Sequence, residues 1–427
     1  MATENHGRVI LVTSLGGLLE AYDFTIYAHM AGYLSLAFFP GEDASAALLS
    51  TFVTFSVGYL ARPLGALLFS HMGDRKGRKA SFTLTIVMMA ISTFLIGVLP
   101  VYAQVGILAP VLLGFMRLLQ GFSFAGELPG GFTYLYETVP EHRQGRALSL
   151  LGAGTLAGML LGVVMHAMLL QLLTPEEVVN WGWRIPFILG GSLGIVSYLV
   201  RRNFAESEAF KDIIARGRQE KVPFLTLVRG YKKELLTGLL VVMPVLVSVC
   251  LLILFIPGYL TRLLGYPAAA VSLTNALCMF AGIPLCLLMG WLADHFDRRL
   301  LLGGASAIIA AGAWPLFQVY ASGSANLMVL AIAGAVMWGL AEGITLLLVT
   351  SLFPTHLRYT GMACTYNLGA TVFAGFGPVI AMWLIQVTGL QAAPAFYLMI
   401  SGFAGMLAAC LLSPGQAHGC HPLQIID

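Results

Sequence analysis

The stretch Gly73-Asp74-Arg75-Lys76-Gly77-Arg78-Lys79 stands between two long apolar runs, and it limits the possible folds more than any other part of the chain. Charges packed this densely between apolar runs fit only a tight, wet turn joining two membrane-spanning helices. Glycine permits the close turn, and the excess of Arg and Lys puts that turn on the cytoplasmic side. A weaker copy follows as Gly290-Trp291-Leu292-Ala293-Asp294-His295-Phe296-Asp297-Arg298-Arg299, in which Asp294 matches Asp74, Arg298 matches Arg78 and Arg299 matches Lys79. Downstream of each copy lies a second echo, Val139-Pro140-Glu141-His142-Arg143 and Phe353-Pro354-Thr355-His356-Leu357-Arg358. Two echoes in the same order, at similar offsets, mean a duplicated chain. The expectation is two similar halves with cytoplasmic turns at matching places.

A membrane span needs about 20 apolar residues. On that measure the chain holds twelve helices: 9–38, 44–72, 80–100, 105–137, 145–172 and 183–202, then 234–260, 268–293, 300–320, 325–350, 358–387 and 392–412. The expected fold class is an all-α membrane protein of two six-helix bundles. Residues 1–203 form the first bundle, 204–233 a linker, 234–413 the second bundle and 414–427 a tail. Charged residues make up 10% of the chain and hydrophobic ones 58%, which excludes an ordinary soluble globule. Only Arg62, Arg117, Arg184 and Arg262 among the basic residues fall outside the predicted cytoplasmic segments, so both termini are expected inside. Glu42, Asp43, Glu176 and Glu177 fall in outside loops. The linker from Arg201 to Lys233 is charged and polar, and reads as a solvated cytoplasmic loop, with a short amphipathic helix on the membrane surface as the alternative.

Six cysteines, Cys250, Cys278, Cys286, Cys364, Cys410 and Cys420, show neither disulfide nor zinc spacing. His418, Cys420 and His421 in the tail are too few for a metal site, so no metal is expected. Nucleotide-binding loops and nucleophile elbows are missing from the sequence as well. The chain is therefore expected to be no enzyme, to use no cofactor and to bind no nucleic acid.

An ionisable side chain inside a span is expensive and is a functional candidate by default. Glu20 and Asp23 share a face of the first helix with Tyr27. Asp23 lies about 20 Å from the cytoplasmic start of that helix at ~1.5 Å per residue. Arg62 on the second helix lies at a comparable depth. On the fourth helix Gln120 and Glu127 are two turns apart on one face, with Arg117 beside them. Glu342 on the tenth helix stands where Glu127 stands in the first half. Two acids on one buried face outnumber the nearby bases, and such a carboxylate can carry a proton near neutral pH. Asp23, Glu20, Glu127 and Glu342 are therefore the proton-coupling candidates, although structural pairing of the acids with Arg62 and Arg117 is the competing account. Glu137, His142 and Arg143 read as latching charges at the end of the fourth helix. Gly152, Gly154, Gly158 and Gly162 let the fifth helix approach its neighbours closely.

The two turns, the twelve spans and Arg117-Leu118-Leu119-Gln120-Gly121 resemble the major facilitator superfamily. Glu20-Ala21-Tyr22-Asp23-Phe24, Arg62-Pro63-Leu64-Gly65, Trp181-Gly182-Trp183-Arg184-Ile185-Pro186-Phe187, Phe353-Pro354-Thr355-His356-Leu357-Arg358-Tyr359 and Tyr366-Asn367 are similar to motifs of its metabolite:proton symporter branch. That branch includes importers of proline and betaine, citrate, α-ketoglutarate and shikimate. Ala21 stands where the branch usually has Trp, and Ser70 and Asp297 replace glycines of the turns.

The resemblance implies two bundles rocking about a central cavity in the bacterial inner membrane. A monomer is expected to import a small polar molecule with protons. Candidate substrate-binding residues are Arg62, Arg117, Tyr22, Tyr27, Gln120, Tyr366 and Asn367; candidate gating residues are Asp74, Arg75, Arg78, Asp294, Arg298 and Arg358. The first expectation for substrate is an organic acid seated on Arg62 or Arg117. The alternatives are a zwitterionic osmolyte such as betaine or proline and a citrate-type siderophore. An exporter and a non-transporting sensor rank below these.

Overall fold

The computed structural model describes residues 6–39, 44–202, 206–216, 220, 222–323 and 326–413. Glu42, Asp43, Arg218, Lys221 and the tail residues His418, Cys420 and His421 lie outside the described residues. Six long helices form the first half: α1 His6–Phe38, α2 Ala44–Lys76, α3 Arg78–Val98, α4 Leu108–Thr138, α5 Gln144–Leu172 and α6 Arg184–Arg201. The second half runs α7 Lys232–Ser248, α8 Ala268–Ala293, α9 Arg298–Ala321, α10 Leu327–Leu352, α11 Arg358–Gly369 with its continuation Gly377–Thr388, and α12 Pro394–Leu411. Eleven of these are apolar and long enough to cross a membrane. Helix α2, 33 residues long, packs among them and completes a twelve-helix bundle.

The same helix pairs recur in the two halves. α2 packs on α4, and α8 on α10; α3 packs on α6, and α9 on α12. The halves meet along α5 against α8 and α2 against α11. The duplication reaches the backbone angles. A 3-10 turn at Glu141–Arg143 leads into α5, and one at Thr355–Leu357 leads into α11. The residues before these helices, Arg143 (φ −126, ψ 1) and Leu357 (φ −126, ψ 3), adopt one conformation. Between α2 and α3, Gly77 turns the chain at φ 122, a region that costs glycine little. On α5, Gly154 and Gly158 lie against the Ser14 and Leu18 carbonyls of α1, where any side chain would clash.

Two expectations need correction. Helices α7 and α11 are not continuous α-helices. α7 passes into π-helical stretches at Val249–Phe255 and Tyr259–Leu263, and α11 into one at Ala370–Gly375. Pro257 and Pro378, which bring no N–H to the ladder, fall at these breaks. The freed carbonyls find side chains instead: Ile253 accepts from Asn275 Nδ2 at 3.3 Å and Phe373 from the Tyr397 hydroxyl at 2.9 Å. The linker also differs, since it is more than a solvated loop. Its helices Glu208–Ala215 and Pro223–Gly230 bury Phe210 and Leu227 against the turns. The Arg78 guanidinium, 5.0 Å from the Phe210 ring, gives that apolar face a protein partner. In the loop before α6, Glu177 accepts from the Thr174 N–H and hydroxyl, both at 2.9 Å, which holds its carboxyl below the usual carboxylate range.

Candidate functional site

The buried polar centre of the first half is built on Asp23. One of its oxygens accepts from the Thr93 hydroxyl of α3 at 2.8 Å, the other from Gln120 Nε2 of α4 at 2.7 Å. Gln120 Nε2 also reaches Thr93 Oγ1 at 3.0 Å, while its Oε1 accepts from Arg117 at 2.7 Å. Three helices are thereby tied into one chain of bonds from Arg117 through Gln120 to Asp23 and Thr93. Charge assistance at both ends makes these bonds stronger than neutral ones. All four side chains are buried.

Aromatic rings wall this centre. The Arg117 guanidinium lies 4.1 Å from the Tyr27 ring and 5.2 Å from that of Phe24. Arg62 from α2 lies 3.7 Å from the Phe124 ring and 4.8 Å from Phe24, and the two Phe rings are 5.4 Å apart. Each arginine therefore presents a guanidinium face to rings. Glu20 is buried on the same helix as Asp23. The Tyr22 hydroxyl, by contrast, donates to the Pro186 carbonyl at 3.0 Å and braces α1 against α6.

Glu127 lies two turns along α4, where its Oε2 accepts from the Thr85 hydroxyl at 2.6 Å. The neighbouring carbonyls of Ala125 and Gly126 accept from Asn367 Nδ2 at 3.0 Å and the Tyr359 hydroxyl at 2.6 Å, both on α11. Asn367 thus clips the two halves together, with half-buried Tyr366 beside it. Glu342 lies apart from the Asp23 group, on the seam of α10 with α5. A methyl group added to Gly152 would stand 3.4 Å from its Oε1 and 3.4 Å from the Cys286 sulfur.

On the side of the charged turns, two aspartates close the gap between the halves. Asp74 Oδ2 accepts from the Thr360 N–H at 2.8 Å and its hydroxyl at 2.6 Å, at the start of α11. Asp294 accepts from the Gly145 N–H at 2.6 Å and the Arg146 N–H at 3.2 Å, at the start of α5. Each turn therefore caps a helix of the other half, where the positive helix end favours an acid. The first latch is reinforced by buried charge. Arg78 pairs with Asp74 at 2.6 Å and Glu137 at 3.3 Å, and donates to the Thr355 carbonyl. Arg358 joins it through Glu137 at 3.0 Å. Among the described residues the second latch pairs with the half-exposed Arg146 alone, at 2.9 Å, since Arg298 donates to the Ala293 carbonyl of its own turn. Arg75 is exposed at the end of α2.

His142 and Arg143, expected to latch alongside Glu137, are exposed and belong to no ion pair among the described residues. Their turn exposes its outer face, so these two point to solvent. Sequence reasoning missed Thr85, Thr93, Phe124, Tyr359 and Thr360. A signal existed for the first two, because Ser81, Thr85 and Thr93 recur at helical spacing as hydroxyls on the buried face of α3.

A family model described as Major Facilitator Superfamily matches residues 13–366. The chain is 34% identical to the proline/betaine transporter of Salmonella typhimurium and 34% identical to that of Escherichia coli, in each case over 94% of this chain and 82% of the relative. Among solved structures it resembles the proton:xylose symporter XylE bound to 6-bromo-6-deoxy-D-glucose. The TM-score is 0.77 at 18% identity, covering 96% of this chain and 95% of that one, a likeness of fold. These matches, the twelve spans and the paired turns agree with one another. The chain is a multi-pass membrane transporter of the major facilitator superfamily, within its metabolite:proton symporter branch.

Proposed function

We propose that this transporter imports a zwitterionic osmolyte of the proline or betaine kind together with protons. The carrying observation is the bond chain from Arg117 through Gln120 to Asp23 inside a wall of Phe24, Tyr27 and Phe124. A zwitterion asks for both signs of partner, and this centre offers both. Guanidinium suits a carboxylate, ring faces suit a substituted ammonium, and Asp23 and Glu20 disfavour a substrate that is only anionic. The curated relatives carry proline and betaine in their names, which moves the osmolyte ahead of the organic acid.

In this reading the turn side is cytoplasmic, both termini lie inside, and the latched turns make the present state outward-facing. Most of the hydrogen bonds described between the halves fall on that side, and those of Asn367 and Tyr359 to α4 reach to mid-helix. Protonation of Asp23 removes the charge that holds the Gln120 amide. Gln120 and Arg117 then turn toward a substrate carboxylate, so substrate and proton enter together. Release of the turn latches opens the cavity inward, and loss of the proton restores the Asp23–Gln120 bond and expels the substrate.

The test is counterflow in proteoliposomes with proline, glycine betaine, mono-, di- and tricarboxylates and a citrate-type iron chelate, followed by uptake under an imposed pH gradient. Proline or betaine should exchange, and should accumulate when the lumen is alkaline. Exchange by carboxylates alone would return the organic acid to first place. Accumulation that ignores the pH gradient would remove proton coupling.

A further inference from the structure

We infer that the groove between the turn-side ends of α3 and α6 seats one anionic phospholipid of the surrounding bilayer, with its phosphate at Lys79 and Arg202. The groove encloses about 470 Å³ and is lined by Lys79, Ala80, Thr83, Leu84, Val87 and Tyr198, with Glu206 at its end. Ala80, Thr83, Leu84 and Val87 follow the i, i+3, i+4, i+7 spacing of one helix face. The exposed Ile91 carries that stripe toward the membrane centre, and Val98 ends it at the far end of α3. Across the groove, the Tyr198 side chain and, beside it, exposed Leu199 on α6 give the stripe an opposite bank. An acyl chain laid along α3 would therefore meet carbon on both sides.

The charge sits at one end only. Lys79 is the second residue of α3, at the level where the span leaves the turn. Arg202, exposed at the end of α6, stands one turn beyond Tyr198 on the same face. Neither cation belongs to an ion pair among the described residues. Glu206, the acid at the same end, is already engaged. Its oxygens accept from the Arg78 N–H at 3.1 Å, the Lys79 N–H at 3.2 Å and the Ser207 N–H at 3.1 Å, so its charge serves the start of α3. Two cations above an apolar trough at the membrane boundary match a phosphate with a chain below it.

Native mass spectrometry of the full-length protein in detergent, with phosphatidylglycerol or phosphatidylcholine of matched chains, tests the seat. The wild type should retain phosphatidylglycerol preferentially. Each interfacial cation is worth about fivefold, so Lys79→Gln/Arg202→Gln should cut that preference about twenty-five-fold. Lys76→Gln/Lys233→Gln removes two exposed turn-side cations outside the groove and should leave the preference intact. Val87→Trp fills the trough and should lower retention of both lipids. Equal retention of the two lipids by the wild type would overturn the inference. So would an equal loss in the control pair, unchanged retention in Val87→Trp, or displacement of the lipid by inorganic phosphate.

Discussion

The two halves share their helix pairing and differ in what they bury. The first half encloses Glu20, Asp23, Arg62, Asp74, Arg78, Arg117 and Glu127, whereas the second encloses fewer charges among the described residues, with Arg298 and the Asp294 carboxylate buried at its turn. The second half also breaks its helices more often, with π-helical turns inside α7 and α11 where the first half has one, Val178–Gly182, leading into α6. Duplication therefore preserved the frame and divided the labour. Buried charges need partners held in fixed geometry, because a stranded one costs several kcal/mol. A half that carries many of them is best kept rigid, and a half with fewer can tolerate more irregular backbone. π-helical turns are frequent at functional sites.

The largest effect that would sharpen this contrast comes from Asp23. Asp23→Asn is expected to lower pH-gradient-driven accumulation by about two orders of magnitude or more while leaving counterflow exchange within a few fold. An Asn variant that still concentrates substrate would take proton coupling out of the first half. Next is Arg117→Lys. The ammonium cannot keep both the bond to Gln120 and the face-on contact with Tyr27, so apparent substrate affinity in counterflow should fall about tenfold to thirtyfold. Unchanged affinity would move the carboxylate contact away from Arg117.

The two latches offer a direct contest between the halves. Cys286 donates its thiol to the Ser149 carbonyl at 3.4 Å within the seam, so its alkylation in a variant with no other cysteine reports opening of the turn side. Asp74→Asn, which breaks a buried network, should raise that rate about thirtyfold. Asp294→Asn, which loses helix capping and a half-exposed partner, should raise it about fivefold. Equal rates would mean that the buried charges around Arg78 add nothing to the latch. The smallest effect is expected at Glu342. Glu342→Gln should slow turnover by about fivefold, the scale of one interaction of ~1 kcal/mol, with affinity unchanged. A collapse of accumulation there would place coupling in the second half and end the asymmetry.

Much of this architecture is legible in the sequence, for identifiable reasons. Span length is set by the membrane, so helices as far apart as α1 and α12 fall within a few residues of expectation. Asp23, Arg117 and Gln120 stand out because charge and amide are rare in apolar runs. What stays hidden is partnership. Hydroxyl spacing puts Thr85 and Thr93 on one face of α3, yet threonine is common in apolar helices and that pattern does not say that they pair with Glu127 and Asp23. The Asp74–Thr360 latch joins residues far apart in the chain, and no local pattern connects them. Pro257 and Pro378 are visible, yet whether a proline kinks, ends or widens a helix depends on whether a neighbour such as Asn275 or Tyr397 can take the spare carbonyl. The linker reads as a solvated loop because the burial of Phe210 depends on an arginine in another turn.

The crossing of α5 and α8 has a further consequence. Gly145 and Gly290 meet there backbone to backbone, so closely that a methyl group on either would collide with the other chain. Two bare backbones touching leave no room for a file of water or ions, and they expose little apolar surface on parting. The crossing therefore works as a valve seat that stops leakage by proximity rather than by adhesion. A transporter that must open and shut this seam in every cycle keeps it watertight without having to tear apart a sticky contact.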